Sequence, residues 1–205
     1  MLKMVIYLIL AAAVIGGAVG GIHLYKVSQR NAAEMAQYEG PEVKARPFAG
    51  KTLIIYYSLS GHTKDIAAKI QKMTGGDMYE IKTVDKLNTV PWFYLILRQQ
   101  LKDKKYPALS GDLPDLSRYD TIFVGSPVWW YTVSTPMLSF LQQVDFKGKK
   151  VVPFSTQGSN YGTFFDDFAQ NARNAKLQKS ASFNNLPAKY DAAVNNKIAL
   201  WLNSL

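Results

Sequence analysis

"TLIIYYSLSGHTKDIAAKI", residues 52–70, decides how the chain is read. Thr52–Tyr57 is an uncharged run of apolar, aromatic and β-branched residues, the composition of a strand buried on both faces. The run stops at Ser58. Ser58, Ser60 and Thr63 then place three hydroxyls around Gly61 and His62. Beyond them Ile66, Ala67, Ile70 and Met73 recur at helical spacing. A doubly buried strand followed at once by a helix is the first half of a parallel crossover, so the stretch points to an α/β sheet with helices on both faces.

The rest of the body repeats this alternation. Asp77–Thr83 alternates in polarity and reads as a more exposed strand. Thr121–Gly125 and Lys150–Ser155 are further buried strands, and Gln178–Phe183 is a last, short one. Between and after them, helical patterns run from Trp92 to Lys105, with Phe93, Ile96, Leu97 and Leu101 on one side, from Thr135-Pro136, from Thr163 to Arg173, and from Tyr190 to Leu202. Right-handed crossovers restrict the topology, and ligands of such sheets sit beyond the carboxyl ends of the strands.

Three loops therefore become one candidate site. The first is Ser58–Thr63, where hydroxyls and the free amides of a helix N-terminus could hold an anion and Gly61 permits a positive φ. Alone, it reads equally as a turn in which Ser60 or Thr63 caps the helix. It is neither a Walker loop nor a dinucleotide fingerprint. The second loop is Gly125–Thr132, with Trp129, Trp130 and Tyr131 in succession. Three rings cannot all enter one core from a loop, but at the mouth of a sheet they could wall a slot for a flat ligand. The third is Ser155–Gly162, small, polar and glycine-bearing, with backbone groups to offer a heterocycle's edge.

Together the three loops resemble the flavodoxin-like proteins, particularly small FMN-binding members with a [ST]-x-[ST]-G-x-T loop and a Pro-x-Trp-Trp loop. The resemblance covers about residues 52–205. It implies a three-layer, doubly wound, five-stranded parallel sheet of order 2-1-3-4-5 and non-covalent FMN. It implies that Ser58, Ser60, Gly61, His62 and Thr63 hold the phosphate, that Pro127, Val128, Trp129 and Trp130 line the isoalloxazine, and that Thr156, Gln157, Gly158 and Ser159, with Tyr161, close the other edge. No side chain need act as acid or base, because the chemistry belongs to the flavin. Two departures stand out. Small relatives often carry glycine after the Trp-Trp pair, where this chain has Tyr131. Well-known carrier flavodoxins are acidic, whereas this chain has net charge +9, and from Lys51 onward 19 basic residues face 12 acidic ones.

The expected function is accordingly that of an FMN flavoprotein in electron transfer or an oxidoreductase of NAD(P)H or quinone type. Its redox partner would be a protein, a quinone or a nicotinamide cofactor. The alternative is a flavin-free domain of the same fold that works by binding. The lysine clusters at 102–105 and 147–150 come with no nucleic-acid motif and read as solvated faces. Asp166-Asp167 reads as two carboxylates favouring a helix N-terminus rather than a metal site. No cysteine occurs, which excludes disulfides, thiol catalysis and Cys-ligated metals, and the two histidines are far apart in sequence.

Met4–Tyr25 contains no charged residue. Its length matches a bilayer's hydrocarbon core of about 30 Å and exceeds the apolar region of a cleaved signal. The sequence therefore divides into a transmembrane anchor or signal segment over 1–26, the anchor being favoured by length; a polar linker over 27–50; and a domain over 51–205. Basic residues following the segment, Lys26 and Arg30, favour a cytoplasmic domain at the cell membrane.

Overall fold

The computed structural model of the chain describes residues 2–87 and 92–205, without the side chains at 2, 3, 6, 8, 9, 11 and 12. Its centre is a parallel sheet. Strand β1 (Thr52–Tyr56) lies between β2 (Asp77–Glu80) and β3 (Thr121–Trp129), and β3 pairs with β5 (Lys150–Gln157). A two-residue strand, β4 (Thr132–Val133), turns back antiparallel on the end of β3.

The far edge is split. β6 (Lys176–Leu177) pairs with Lys150 and Val151, and β7 (Ala181–Asn184) pairs with Phe154–Gln157. Counted as one, the halves give the expected order 2-1-3-4-5. The break has a cause in β5. Gln178 N donates to Val151 O and Asn185 N to Gln157 O, so the odd-numbered residues of β5 present their backbone groups to the edge. Pro153 is one of them and has no N–H to give. The single strand expected over Gln178–Phe183 is therefore interrupted, with 178–180 lying between the two pieces.

Helices cover both faces. The even residues of β1, Ile54 and Tyr56, pack with Phe123, Val152 and Phe154 under α2 (His62–Thr74) and α6 (Asp191–Leu202). The odd residues, Leu53 and Ile55, pack with Ile122, Val124 and Val151 under α4 (Thr135–Gln143) and α5 (Phe164–Asn171), with α3 (Phe93–Asp103) beside α4. In α3 Phe93 and Leu97 are buried while Ile96 is exposed, so its buried stripe is narrower than the periodicity suggests.

The N-terminal region departs most from expectation. The transmembrane helix expected over 1–26 falls partly outside the described residues, and among those described no helix is long and apolar enough to cross a membrane. Helix α1 runs from Leu2 to Ala36, so the first ten residues of the expected linker are helical. Nor is the region a free tether. Met35 is buried in the α2–α6 core and Glu34 pairs with Lys197 at 2.6 Å. Tyr38 O and Pro41 O accept from Asn196 Nδ2, and Asn196 Oδ1 accepts from Val43 N. Asn203 then holds Lys44 O and Arg46 N, and Asp120 accepts from Lys51 N. Polar composition reads as linker, but these backbone groups find partners on and just past α6 and at Asp120.

Candidate functional site

The first loop leaves β1 with Tyr57 N bonded to Gly125 O, which fixes its start on β3. Tyr57 is buried, and burial pushes its hydroxyl up to about 12, so the side chain stays neutral. Gly61 precedes α2 at φ 94°, a backbone region that favours glycine, and its N–H donates to Ser58 Oγ at 3.1 Å. No side chain caps α2, so Ser60 and Thr63 do not play the part of a helix cap. The amides of its first turn are left facing outward at the positive end of the helix dipole. Ser60 and His62 are exposed there, and Ser58 is half-buried. Thr63 is buried instead, its hydroxyl 2.7 Å from that of Thr156 in the third loop.

Residues 125–132 are not a loop. β3 continues through Trp129 and returns as β4 through the two-residue turn Trp130–Tyr131. Both turn residues have positive φ, 50° and 62°, the signs of a type I′ turn, which suits the twist of a hairpin but asks for Asn or Gly. The surroundings hold the strain in place. Thr163 N donates to Tyr131 O at 2.8 Å, and Asp167 accepts from Thr163 Oγ1 and from Thr132 Oγ1. This is the task of that carboxylate, alongside its place in the first turn of α5. Because Tyr131 is exposed and loses little contact on truncation, Tyr131→Gly is expected to stabilise the fold by about 1 kcal/mol. A urea unfolding midpoint that stays put or falls would show that the turn is unstrained.

The three rings separate as the strand pleat requires. Trp129, half-buried, packs edge-on against Tyr57 and Phe93, at 5.6 and 5.5 Å between centroids, at the margin of the core. Trp130 stays exposed and donates its Nε1–H to Tyr94 O on α3 at 2.9 Å.

The third loop follows β5, which extends two residues further than the apolar run because Ser155, Thr156 and Gln157 satisfy one another and their neighbours. Ser155 Oγ donates to Gln157 Oε1 at 2.9 Å, and Gln157 Nε2 donates to Asn184 Oδ1 at 3.3 Å. The Arg30 guanidinium of α1 donates to Ser159 O.

Between hairpin and third loop lies a cleft of about 380 Å³. Of the sequence-derived residues it brings together Val128, Trp130, Gln157, Gly158 and Ser159, and it adds Tyr94, Tyr131 and Asn160. Pro127 of β3 is paired with Thr156 of β5, and Tyr161 rests on Phe165 with centroids 5.1 Å apart; neither lines the cleft. Ser58, Ser60 and Gly61 do not line it either; the start of α2 reaches the third loop through the Thr63–Thr156 bond. Beside that bond His62 and Thr156 border a hollow of about 30 Å³ with Asn184 and Asp191. A larger hollow of about 820 Å³, between α2, α6 and residues 40–45, is away from all three loops. Sequence reasoning missed Tyr94, Arg30 and Asn184. Tyr94 lies off the apolar stripe of α3, and its position at the start of that helix, at the ligand end of the sheet, is the signal that was available. Arg30 sat in what read as linker.

The fold agrees with what known proteins show. A family model described as Flavodoxin matches residues 51–203. A flavoprotein from Lactobacillus acidophilus, solved in complex with FMN, is 29% identical with a TM-score of 0.60, over 65% of this chain and 93% of that one. A flavoprotein from Bacteroides uniformis is 28% identical with a TM-score of 0.63, over 76% of this chain and 99% of that one. A protein of Cupriavidus metallidurans named NAD(P)H dehydrogenase (quinone) is 32% identical over 95 residues, 45% of this chain and 46% of that protein, so the chain matches less than half the length of this curated relative.

Proposed function

The chain belongs to the flavodoxin family, and on that footing we propose that it is an FMN flavoprotein that passes electrons at a membrane. The observation that carries the reading is the meeting of the three loops at one end of the sheet. The uncapped start of α2 is tied through Thr63 and Thr156 to a third loop that walls an aromatic cleft. These residues fit the group. First-turn amides and the hydroxyls of Ser58 and Ser60 suit a phosphate dianion. Trp130 and Tyr131 offer ring faces, and residues 157–160 offer backbone groups to a heterocycle's polar edge. When bound, the flavin supplies the redox chemistry.

As donor and acceptor we propose a reduced nicotinamide and a quinone, the pair named for the Cupriavidus relative. Membrane attachment is assigned to the apolar part of α1. Met4–Tyr25 is without charge, and Val14, Ile15, Val19, Ile22, Leu24 and Tyr25 are all exposed on it. Lys26 and Arg30 on its inner side favour the cytoplasmic face.

Purified protein should be yellow, or take up FMN with quenching of flavin fluorescence. The flavin should bleach anaerobically with NADH or NADPH and recover on addition of a quinone. Protein that neither retains nor takes up flavin would overturn the reading, and flavin inert to both nicotinamides would overturn the choice of donor.

A further inference from the structure

The geometry points to the cleft end of the sheet as the face that lies on a lipid bilayer, because the apolar helix and an apolar, aromatic rim leave the molecule at the same end. This rests on the proposal that α1 attaches the protein to a membrane, and it adds which way the domain faces once attached.

The direction of α1 follows from its bonds. Arg30 touches Ser159 O, just past the carboxyl end of β5, and Glu34 accepts from Asn184 at the carboxyl end of β7. From there the chain descends along α6. Tyr38 meets Asn196 in mid-helix, Arg46 meets Asn203 at its end, and Lys51 meets Asp120 ahead of β3, at the amino ends of the strands. Followed backwards from Arg30, the helix therefore points away from the sheet past its cleft end. At 1.5 Å per residue, Met4 lies about 40 Å beyond Arg30. Residues 13–26 are exposed throughout, so none of the described residues of the domain covers this segment.

The domain's own exposed apolar side chains crowd the same end. Leu59 is in the first loop. Trp92, Tyr94 and Leu95 are at the start of α3, and Trp130 and Tyr131 form the hairpin turn. Trp92, Tyr94, Leu95 and Tyr131 are each more than half exposed. Helices run opposite to the strands in this fold, so the start of α3 and the turn after β3 share a level, and the Trp130–Tyr94 bond joins them. At the opposite end, among the described residues, the exposed large apolar side chains are aliphatic and less exposed, with Leu200 at 46%, Leu177 at 40% and Leu205 at 38%. Trp and Tyr, with an apolar body and a polar edge, are the residues that settle at the bilayer interface. A helix that enters lipid a few residues from such a rim brings it to the headgroups. A redox partner reaching the cleft then arrives along or from within the bilayer, which suits a lipid-soluble acceptor.

The chain has no cysteine, so single labels can be placed without background. The full-length protein is labelled with an environment-sensitive fluorophore at Leu95→Cys on the rim, and separately at Lys72→Cys, an exposed site in the last turn of α2 at the far end. Each is mixed with vesicles of phosphatidylcholine and phosphatidylglycerol and sedimented. The expected result is co-sedimentation of both, with a blue shift and a several-fold emission rise at position 95 and no change at 72. Co-sedimentation with position 95 unchanged, or with both positions shifted alike, overturns the orientation and leaves attachment standing. Failure to sediment overturns attachment and the orientation with it, while flavin uptake, read separately by absorbance, is unaffected by either outcome.

Discussion

Gly125→Ala is expected to destabilise the protein by at least about 3 kcal/mol, and to leave little folded chain at 37 °C. Gly125 pairs with Phe154 across the two central strands, and a Cβ at 125 would lie 2.0 Å from the tip of the Phe154 ring. That ring cannot yield, because it is fully buried against Trp201 under α6. Neither strand can move, since each is paired on both sides. A smaller residue at 154 removes the clash, so Gly125→Ala with Phe154→Leu should recover stability beyond what the two separate losses predict, a coupling that a double-mutant cycle in urea reads directly. Additive losses would mean that the ring does not lie over Gly125.

The second large effect separates binding from folding. Ser60→Glu places a carboxylate beside the uncapped amides of α2, where the reading of the loop puts a phosphate. A negative charge at a helix N-terminus stabilises it, so the folded state should gain up to about 0.5 kcal/mol. The same charge competes with and repels a phosphate dianion, so FMN affinity should fall on the order of 100-fold. Fluorescence titration and thermal unfolding on one preparation check both signs. Flavin affinity equal to that of the unaltered chain would return residues 56–64 to an ordinary turn.

The layer order was legible because buried parallel strands are written as unbroken apolar runs, and Thr52–Tyr57, Thr121–Gly125 and Lys150–Ser155 are unmistakable as such. Their polar extensions were not. Ser126–Trp129 continue β3 by pairing with β5 and then β4, and Thr156–Gln157 continue β5 by pairing with β3 and β7, partners that periodicity does not register. The same limit governed the cleft. Three consecutive aromatics announced a special place, but only the pleat of a strand that runs on to Trp129 decides that this ring turns toward the core while Trp130 stays outside. Residues 27–50 read as a tether because apolar spacing is weak there. Asn196 and Asn203, which bind that segment, belong to a helix 150 residues later, and nothing local in either stretch advertises the match.

The split outer edge bears on what the molecule avoids. A strand at the border of a sheet offers a row of free donors and acceptors to any other chain that passes, and a long, flat one seeds aggregates. Here Pro153 divides that border into one piece of two residues and one of four, with Lys179 between them. No intruding strand finds more than a few consecutive bonds. A chain that exposes apolar side chains along α1 thus keeps its most adhesive backbone in fragments too short to copy.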